Sequence, residues 1–281
     1  MKTMWKVLAA GMAMAAVVGL SGCGGSDPSK APAGNAQQGA LMKQIKEKGK
    51  LVVGTASGYP PYEFVDAAAG DKKVIGIDIA FAQQIADKLG VKLEVQDMNF
   101  QALLASLVGG KVDVAIAGIN PTDERRKTMD FSAEYLPTAE MLIIRKTDAG
   151  KYKTLEGLTG KAIGVQKSTT QEETAKTAIK NAKIIALAHV PEVILELKQG
   201  KIDGVVVEGI VGRQYLVYND DLQFAEVTFP NSVKASAVAL TKGNDDLKAL
   251  INQVIKENSD NGNFEKWADE YSRKAVENAS K

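Results

Sequence analysis

Gly110-Lys111-Val112-Asp113-Val114-Ala115-Ile116-Ala117-Gly118 runs straight into Ile119-Asn120-Pro121-Thr122-Asp123-Glu124-Arg125. Its opening returns as Gly200-Lys201-Ile202-Asp203-Gly204-Val205-Val206-Val207-Glu208. Residues 112–119 are apolar except for Asp113 and read as a buried strand. Asn120-Pro121 stops it, because proline lacks an amide donor and fixes its own φ. Thr122, with acidic residues directly behind it, is a helix start, and Arg125 falls about one turn in. A strand feeding a helix N-terminus presents free N–H groups and a positive dipole end, which makes an anion site. The planar fork of Arg125 suits a carboxylate. On this stretch alone, an ordinary strand–turn–helix with a solvated arginine is the simpler reading, and the rest of the chain reverses it. The two copies align without a gap, 90 residues apart. That predicts two lobes of like topology; with only two copies it is no solenoid.

Upstream of the first copy, residues 51–55 form a short strand that ends in the loop 56–61, which carries Tyr59 and leads into Tyr62. Residues 77–89 have helical apolar spacing and stop at Gly90; 91–95 alternate as a strand; 100–108 are helical and stop at Gly109-Gly110. This order predicts a parallel α/β sheet with helices on both faces. It recurs as a strand at 161–165, a polar loop at 166–170, a helix to about 180, a strand at 184–188 and a helix at 191–198. Extended stretches at 138–146 and 235–242 flank the second copy and serve as crossings, after which helices at 245–257 and 264–274 pack back on lobe one. The expectation is an α/β clamshell whose lobes are each a mainly parallel sheet flanked by helices, with two crossover strands as hinge. Lobe one is assigned 46–137 plus 235–281, and lobe two 138–234.

The first 22 residues stand apart. Lys2 and Lys6 are followed by an uncharged apolar run of 14 residues, 7–20, the length of a signal peptide and short for a membrane span. Leu20-Ser21-Gly22-Cys23 resembles the bacterial lipobox, which implies cleavage before Cys23 and its lipidation. Cys23 is the chain's one cysteine, which excludes an internal disulfide framework and a thiolate metal cluster. Residues 24–40 are small and polar and read as a flexible tether. The folded part starts near Leu41, although the domain division carries the tether to 45. Across 281 residues, 35 Lys and Arg balance 34 Asp and Glu, so nothing points to nucleic acid or a polybasic membrane contact.

In open α/β sheets, ligands sit beyond the carboxyl ends of the strands. Two facing lobes gather the loops 56–62, 118–125 and 166–170 and residue Glu208 around one cleft. Arg125 asks for a carboxylate and Glu208 for an ammonium, while Tyr59 and Phe100 offer rings to a side chain. A small zwitterion answers both charges, so the cleft reads as an amino-acid site.

Tyr59-Pro60-Pro61-Tyr62-Glu63, Gly76-Ile77-Asp78-Ile79, residues 100–113, the stretch from Ala117 through Asp130-Phe131-Ser132, and residues 166–171 occur in the order of a known family. From about Leu51 to Tyr271 the chain resembles the extracellular solute-binding proteins of polar-amino-acid ABC importers, family 3. The resemblance implies the type II periplasmic-binding-protein fold, capture of an L-amino acid and delivery to permease subunits. By the same resemblance Arg125 clamps the ligand carboxylate, aided by Asn120 and Thr170. Glu208 and Gly118 meet the amino group, and Tyr59 and Phe100 sandwich the side chain. Gln166, Ser168 and Thr169 line the pocket, with Lys167 also in reach. The chain departs from the family in three places. Glu208 is longer than the frequent aspartate, Gly118 replaces a serine, and Ala56 replaces an aspartate that several relatives turn on polar or basic side chains.

The implied protein is a monomer without a cofactor or a metal. It is lipid-anchored to the cell membrane through Cys23, on the periplasmic face or the outer surface. One rival is an enzyme of the same fold, such as a cyclohexadienyl dehydratase. Against it, the one histidine, His189, lies beside Pro191 in an ordinary strand–helix connection. The other rival is a ligand-sensing receptor domain, which would share the site.

Overall fold

The computed structural model describes residues 40–67 and 73–279. The expected leader, Cys23 and the tether up to residue 39 lie outside the described residues. The described chain begins with α1 (Ala40–Lys48), whose Ile45 is fully buried. A tether to residue 45 therefore cuts into a helix: Leu41, Met42 and Ile45 pack on the first core. The segment is made almost entirely of strong helix formers, and burial of one face holds so short a helix.

The chain continues as β1 (Lys50–Thr55), β2 (Phe64–Val65), β3 (Val74–Ile75), α2 (Ile77–Leu89), β4 (Lys92–Asp97), α3 (Phe100–Val108), β5 (Val114–Ala115), α4 (Asp123–Arg126) and β6 (Met129–Arg145). Then come β7 (Ala162–Gln166), α5 (Thr170–Ala178), β8 (Lys183–Leu187), α6 (Val190–Lys198), β9 (Gly204–Glu208) and α7 (Gly209–Tyr218). The last elements are β10 (Leu222–Phe224), β11 (Val233–Thr241), α8 (Asp245–Asp260) and α9 (Asn263–Ala279).

One mixed sheet runs β4-β1-β5-β11-β6-β9-β7-β8, with β10 beside β6. β4, β1 and β5 are parallel, and so are β8, β7 and β9. Between these triplets lie β11 and β6, antiparallel from Thr241↔Met129 to Val233↔Ala139. The fold is a two-lobed α/β clamshell of the type II periplasmic-binding-protein class. The first crossing was expected at 138–146 but belongs to one 17-residue strand that starts at Met129. The sheet alternation shows in the cores. Leu51 and Val53 face one cluster of lobe one and Val52 the other. In lobe two Val205 and Val207 face one cluster and Val206 the other.

The repeat is physical as well as textual. Asp113 accepts the Val52 N–H at 2.7 Å, and Asp203 accepts the Ala162 N–H at 2.9 Å. Each aspartate thus pins the strand that carries its own lobe's first loop. The helices α8 and α9 bury Leu247, Ile251, Val254, Ile255 and Phe264 in the lobe-one core. Phe264 stacks on Tyr135 at 5.3 Å and meets Phe81 edge-on at the same distance. The Tyr135 hydroxyl then reaches the cleft floor.

Candidate ligand-binding cleft

The stretch after β5 is less regular than the sequence implied. The strand is two residues long, although Ile116, Ala117 and Ile119 beyond it are also buried. Gly118 takes φ 56°, a left-handed turn that re-aims the chain across the cleft. Thr122 caps α4 by accepting the Arg125 N–H at 3.2 Å. The helix has only four residues. A single turn has little macrodipole to offer an anion. The anion-seeking group is the Arg125 side chain itself.

Arg125 donates from Nη1 to the Asn120 carbonyl at 2.8 Å and from Nη2 to the Ser168 carbonyl at 3.0 Å. Its guanidinium lies 5.2 Å from the Phe100 ring centre. Burial lowers its pKa to about 10, and among the described residues no carboxylate lies within ion-pair distance of it. A half-buried cation held only by neutral carbonyls and a ring lacks its natural partner.

Two further bonds cross the cleft. The Thr170 hydroxyl donates to Asn120 Oδ1 at 2.8 Å, and the Tyr215 hydroxyl on α7 donates to the Gly58 carbonyl at 2.7 Å. Thr170 opens α5, which Thr169 caps by accepting the Glu172 N–H. The Thr169 hydroxyl also donates to the Gln166 carbonyl, and the Gln166 amide donates to the Ala188 carbonyl. The lobes therefore stand closed on each other.

Of the residues singled out in the sequence, Tyr59, Phe100, Gly118, Asn120, Arg125, Gln166, Thr169 and Thr170 line the cleft. Ser168 does not line it; its backbone, at φ 67°, offers the carbonyl to Arg125 and the N–H to Glu172. Glu208 is 1 % exposed and does not line the closed cleft either. It ends β9 and precedes α7, next to Tyr62 and Asn120. Burial pushes its pKa up to about 8 against their lowering contacts. The Gly118 N–H is already committed to Asp78 Oδ2 at 2.7 Å, so only its carbonyl is left for a ligand. His189 lies at the N-terminus of α6, its N–H donating to Glu192, and is not among the cleft-lining residues.

The structure adds a floor that the sequence reading missed. Glu63, Asp78 and Glu208 are each at most 1 % exposed, and burial raises all three pKa values, that of Asp78 to about 7. Asp78 accepts from the Tyr135 hydroxyl at 2.8 Å as well as from Gly118. Gly76 sets this up. Its φ of 143° lets the Ile77 and Asp78 N–H groups reach the carbonyls of Pro61 and Tyr62, and a Cβ there would lie 2.0 Å from the Tyr62 oxygen. Both Glu63 and Asp78 stood inside quoted motifs. Only their side-by-side burial was invisible.

Fold and cleft together define a protein that closes two α/β lobes over a small charged solute. Residues 51–274 match the bacterial extracellular solute-binding proteins, family 3, and the chain belongs to that family. It is 34 % identical over 221 residues to the arginine-binding extracellular protein ArtP of Bacillus subtilis, covering 78 % of this chain and 84 % of that one. It is 33 % identical over 232 residues to the L-cystine-binding protein TcyJ of Escherichia coli, covering 81 % and 85 %. Among solved structures, the amino acid ABC transporter substrate-binding protein AbpA of Streptococcus pneumoniae, bound to L-arginine, superimposes with a TM-score of 0.81 at 34 % identity. That match covers 83 % of this chain and 99 % of AbpA. Among the described residues no helix is long and apolar enough to cross a membrane.

Proposed function

We propose that the protein captures an L-amino acid between its lobes and hands it to an ABC importer, without transforming it. The observation that carries this is Arg125, a half-buried cation bonded to one carbonyl from each lobe and to no carboxylate among the described residues. A ligand carboxylate replaces those carbonyls with a two-pronged ion pair, aided by Asn120 and Thr170. The ammonium goes to Glu208 and the Gly118 carbonyl. Because Glu208 is behind the closed walls, the ligand enters an open form and the lobes close over it, moving about the β6–β11 pair. Tyr59 and Phe100 then flank the side chain, and Gln166 and Thr169 border it, with Ser168 acting through its carbonyl on Arg125. Relatives named for arginine and cystine binding support the amino-acid reading. A thermal-shift screen against the common L-amino acids tests it: at ligand about 100-fold above Kd, linkage stabilises the fold by about 2.7 kcal/mol. No shift with any of them removes the function and leaves the family.

The lobe division at 138 and 234, the monomeric state and the anchor on Cys23 belong to the same proposal. Acylation at Cys23 with two or more chains holds the protein stably on the membrane, where one chain is marginal. In fractionated cells, Cys23→Ser is expected to release the protein into the soluble fraction. Undiminished membrane attachment contradicts the anchor.

A further inference from the structure

We infer that Glu140, with Lys234 and Thr174, is a positioning residue that sets from behind the cleft how strongly Glu208 draws a ligand ammonium. This deepens the amino-acid reading and rests on it. Glu140 on β6 is the register partner of Glu208 on β9, so the two carboxyl groups leave the same face of the sheet. Glu140 is not among the cleft-lining residues, and its side chain is 1 % exposed. Lys234 on β11 donates to Glu140 Oε1 at 2.6 Å, and the Thr174 hydroxyl donates to Oε2 at 2.6 Å. Lys234 also reaches the Thr174 hydroxyl at 3.1 Å. Thr174 stands one turn beyond Thr170 on the same face of α5. One buried ion pair thus ties β6 and β11 to the helix that starts at Thr170.

A buried carboxylate keeps its charge where a cation answers it. Glu140 has that cation in Lys234, whereas among the described residues no lysine or arginine lies within ion-pair distance of Glu63, Asp78 or Glu208. The titratable groups that face Glu208 are Tyr59, Tyr62 and Glu63 from the loop after β1, Asp78 from α2 and Glu140 from β6. Burial favours the neutral form of Tyr59, Tyr62, Glu63 and Asp78. The lasting charge opposite Glu208 is therefore the Glu140–Lys234 pair, with its negative end towards β9. That like charge resists ionisation of Glu208. Glu208 Oε2 is buried and has no hydrogen-bond partner among the described residues. An arriving ammonium supplies both the missing donor and the compensating charge, and Glu208 gives up its proton to solvent as it binds.

The alternative is structural: the network only braces β6 and β11 against α5. Glu140→Gln separates the two, because it keeps an acceptor for Thr174 and removes the charge. In ligand-free protein with isotope-labelled glutamate carboxyls, the magnetic resonance signal missing from Glu208→Gln reports Glu208. Its titration midpoint, about 8 in the wild type, is expected to fall by about one pH unit in Glu140→Gln. Glu140→Asp, which keeps the charge, should stay near the wild-type midpoint. In calorimetry with L-arginine, Glu140→Gln should bind about tenfold more tightly than wild type at about pH 6, and about equally at about pH 9. An unmoved midpoint in folded Glu140→Gln overturns the inference, and so does one that moves equally in Glu140→Asp. Should Glu140→Gln fail to fold, combining it with Lys234→Met leaves no unpaired charge, and the same downward shift is required. If L-arginine does not bind, the titration of the ligand-free protein decides. If no L-amino acid binds, the proposed function falls, while the hold of Glu140 on Glu208 stands or falls on the titration.

Discussion

The two copies of the repeat share a scaffold and differ at its tip. After Asp113 the first lobe runs through β5, turns at Gly118 and reaches Arg125 on a single helical turn. After Asp203 the second lobe runs through β9 and ends it on Glu208, from which α7 starts directly. The same strand, pinned by the same kind of aspartate–amide bond, delivers a cation from one side and a carboxylate from the other. The two strands are like supports, and the difference at their carboxyl ends makes the cleft polar from end to end. A zwitterion bridged between them binds only the closed form well, and that differential affinity moves the lobes.

The largest effect in lobe two is expected at the tip. Glu208→Gln keeps the size of the side chain and removes the charge, and should weaken the best L-amino acid ligand by about tenfold or more in calorimetry. An analogue lacking the amino group should lose much less. Equal losses for both would detach Glu208 from the ammonium.

A smaller effect concerns protons. Glu208 is held at about 8 and Asp78 at about 7, both raised from ordinary carboxyl values by burial. The ligand-free fold therefore binds more protons than the unfolded chain. Its stability from these groups is fully present below the unfolded carboxyl range and is lost as pH rises through about 7 to 8. The ligand-free melting temperature should fall over that window, and less so in Glu208→Gln. Ammonium binding needs the ionised form, so ligand should release a proton near neutrality, visible in calorimetry as heat that depends on the buffer. A flat profile with no buffer dependence breaks this part of the comparison.

The smallest effect is a difference of about 1 kcal/mol between the supports. Asp113 also holds Lys48 at 2.6 Å, whereas Asp203 adds only the Tyr152 hydroxyl at 3.1 Å. In thermal unfolding Asp113→Asn should cost about 1.5–3 kcal/mol and Asp203→Asn about 0.5–1.5 kcal/mol. The reverse order would mean the repeat's likeness is superficial.

Much of this was legible in the sequence. The gapless repeat and the 3.6- and 2-residue periodicities located β1, α2, α3, β7, α5, β8 and α6 to within a residue or two. Burial on one face writes itself into spacing. What escaped was non-local. Asp78 meets its partners 40 and 57 positions away at Gly118 and Tyr135, and nothing in its own neighbourhood signals that. The helix α7 escaped because Gly209 and Gly212 at its start look like breakers, yet close packing against Met141 and Phe224 leaves no room for a side chain there. The two-residue β5 was read too long because apolar residues continue beyond its ladder.

The central claim is that Arg125 and the ligand carboxylate recognise each other, and one thermodynamic cycle tests it. The best-binding L-amino acid and its decarboxylated amine are titrated into wild type and Arg125→Ala, with circular dichroism to confirm the fold. Loss of one partner of a desolvated charge pair costs about 2–5 kcal/mol, so the wild type should prefer the amino acid by roughly 30-fold or more. Arg125→Ala should bind the two about equally. A folded Arg125→Ala protein that keeps the wild-type preference would contradict the account.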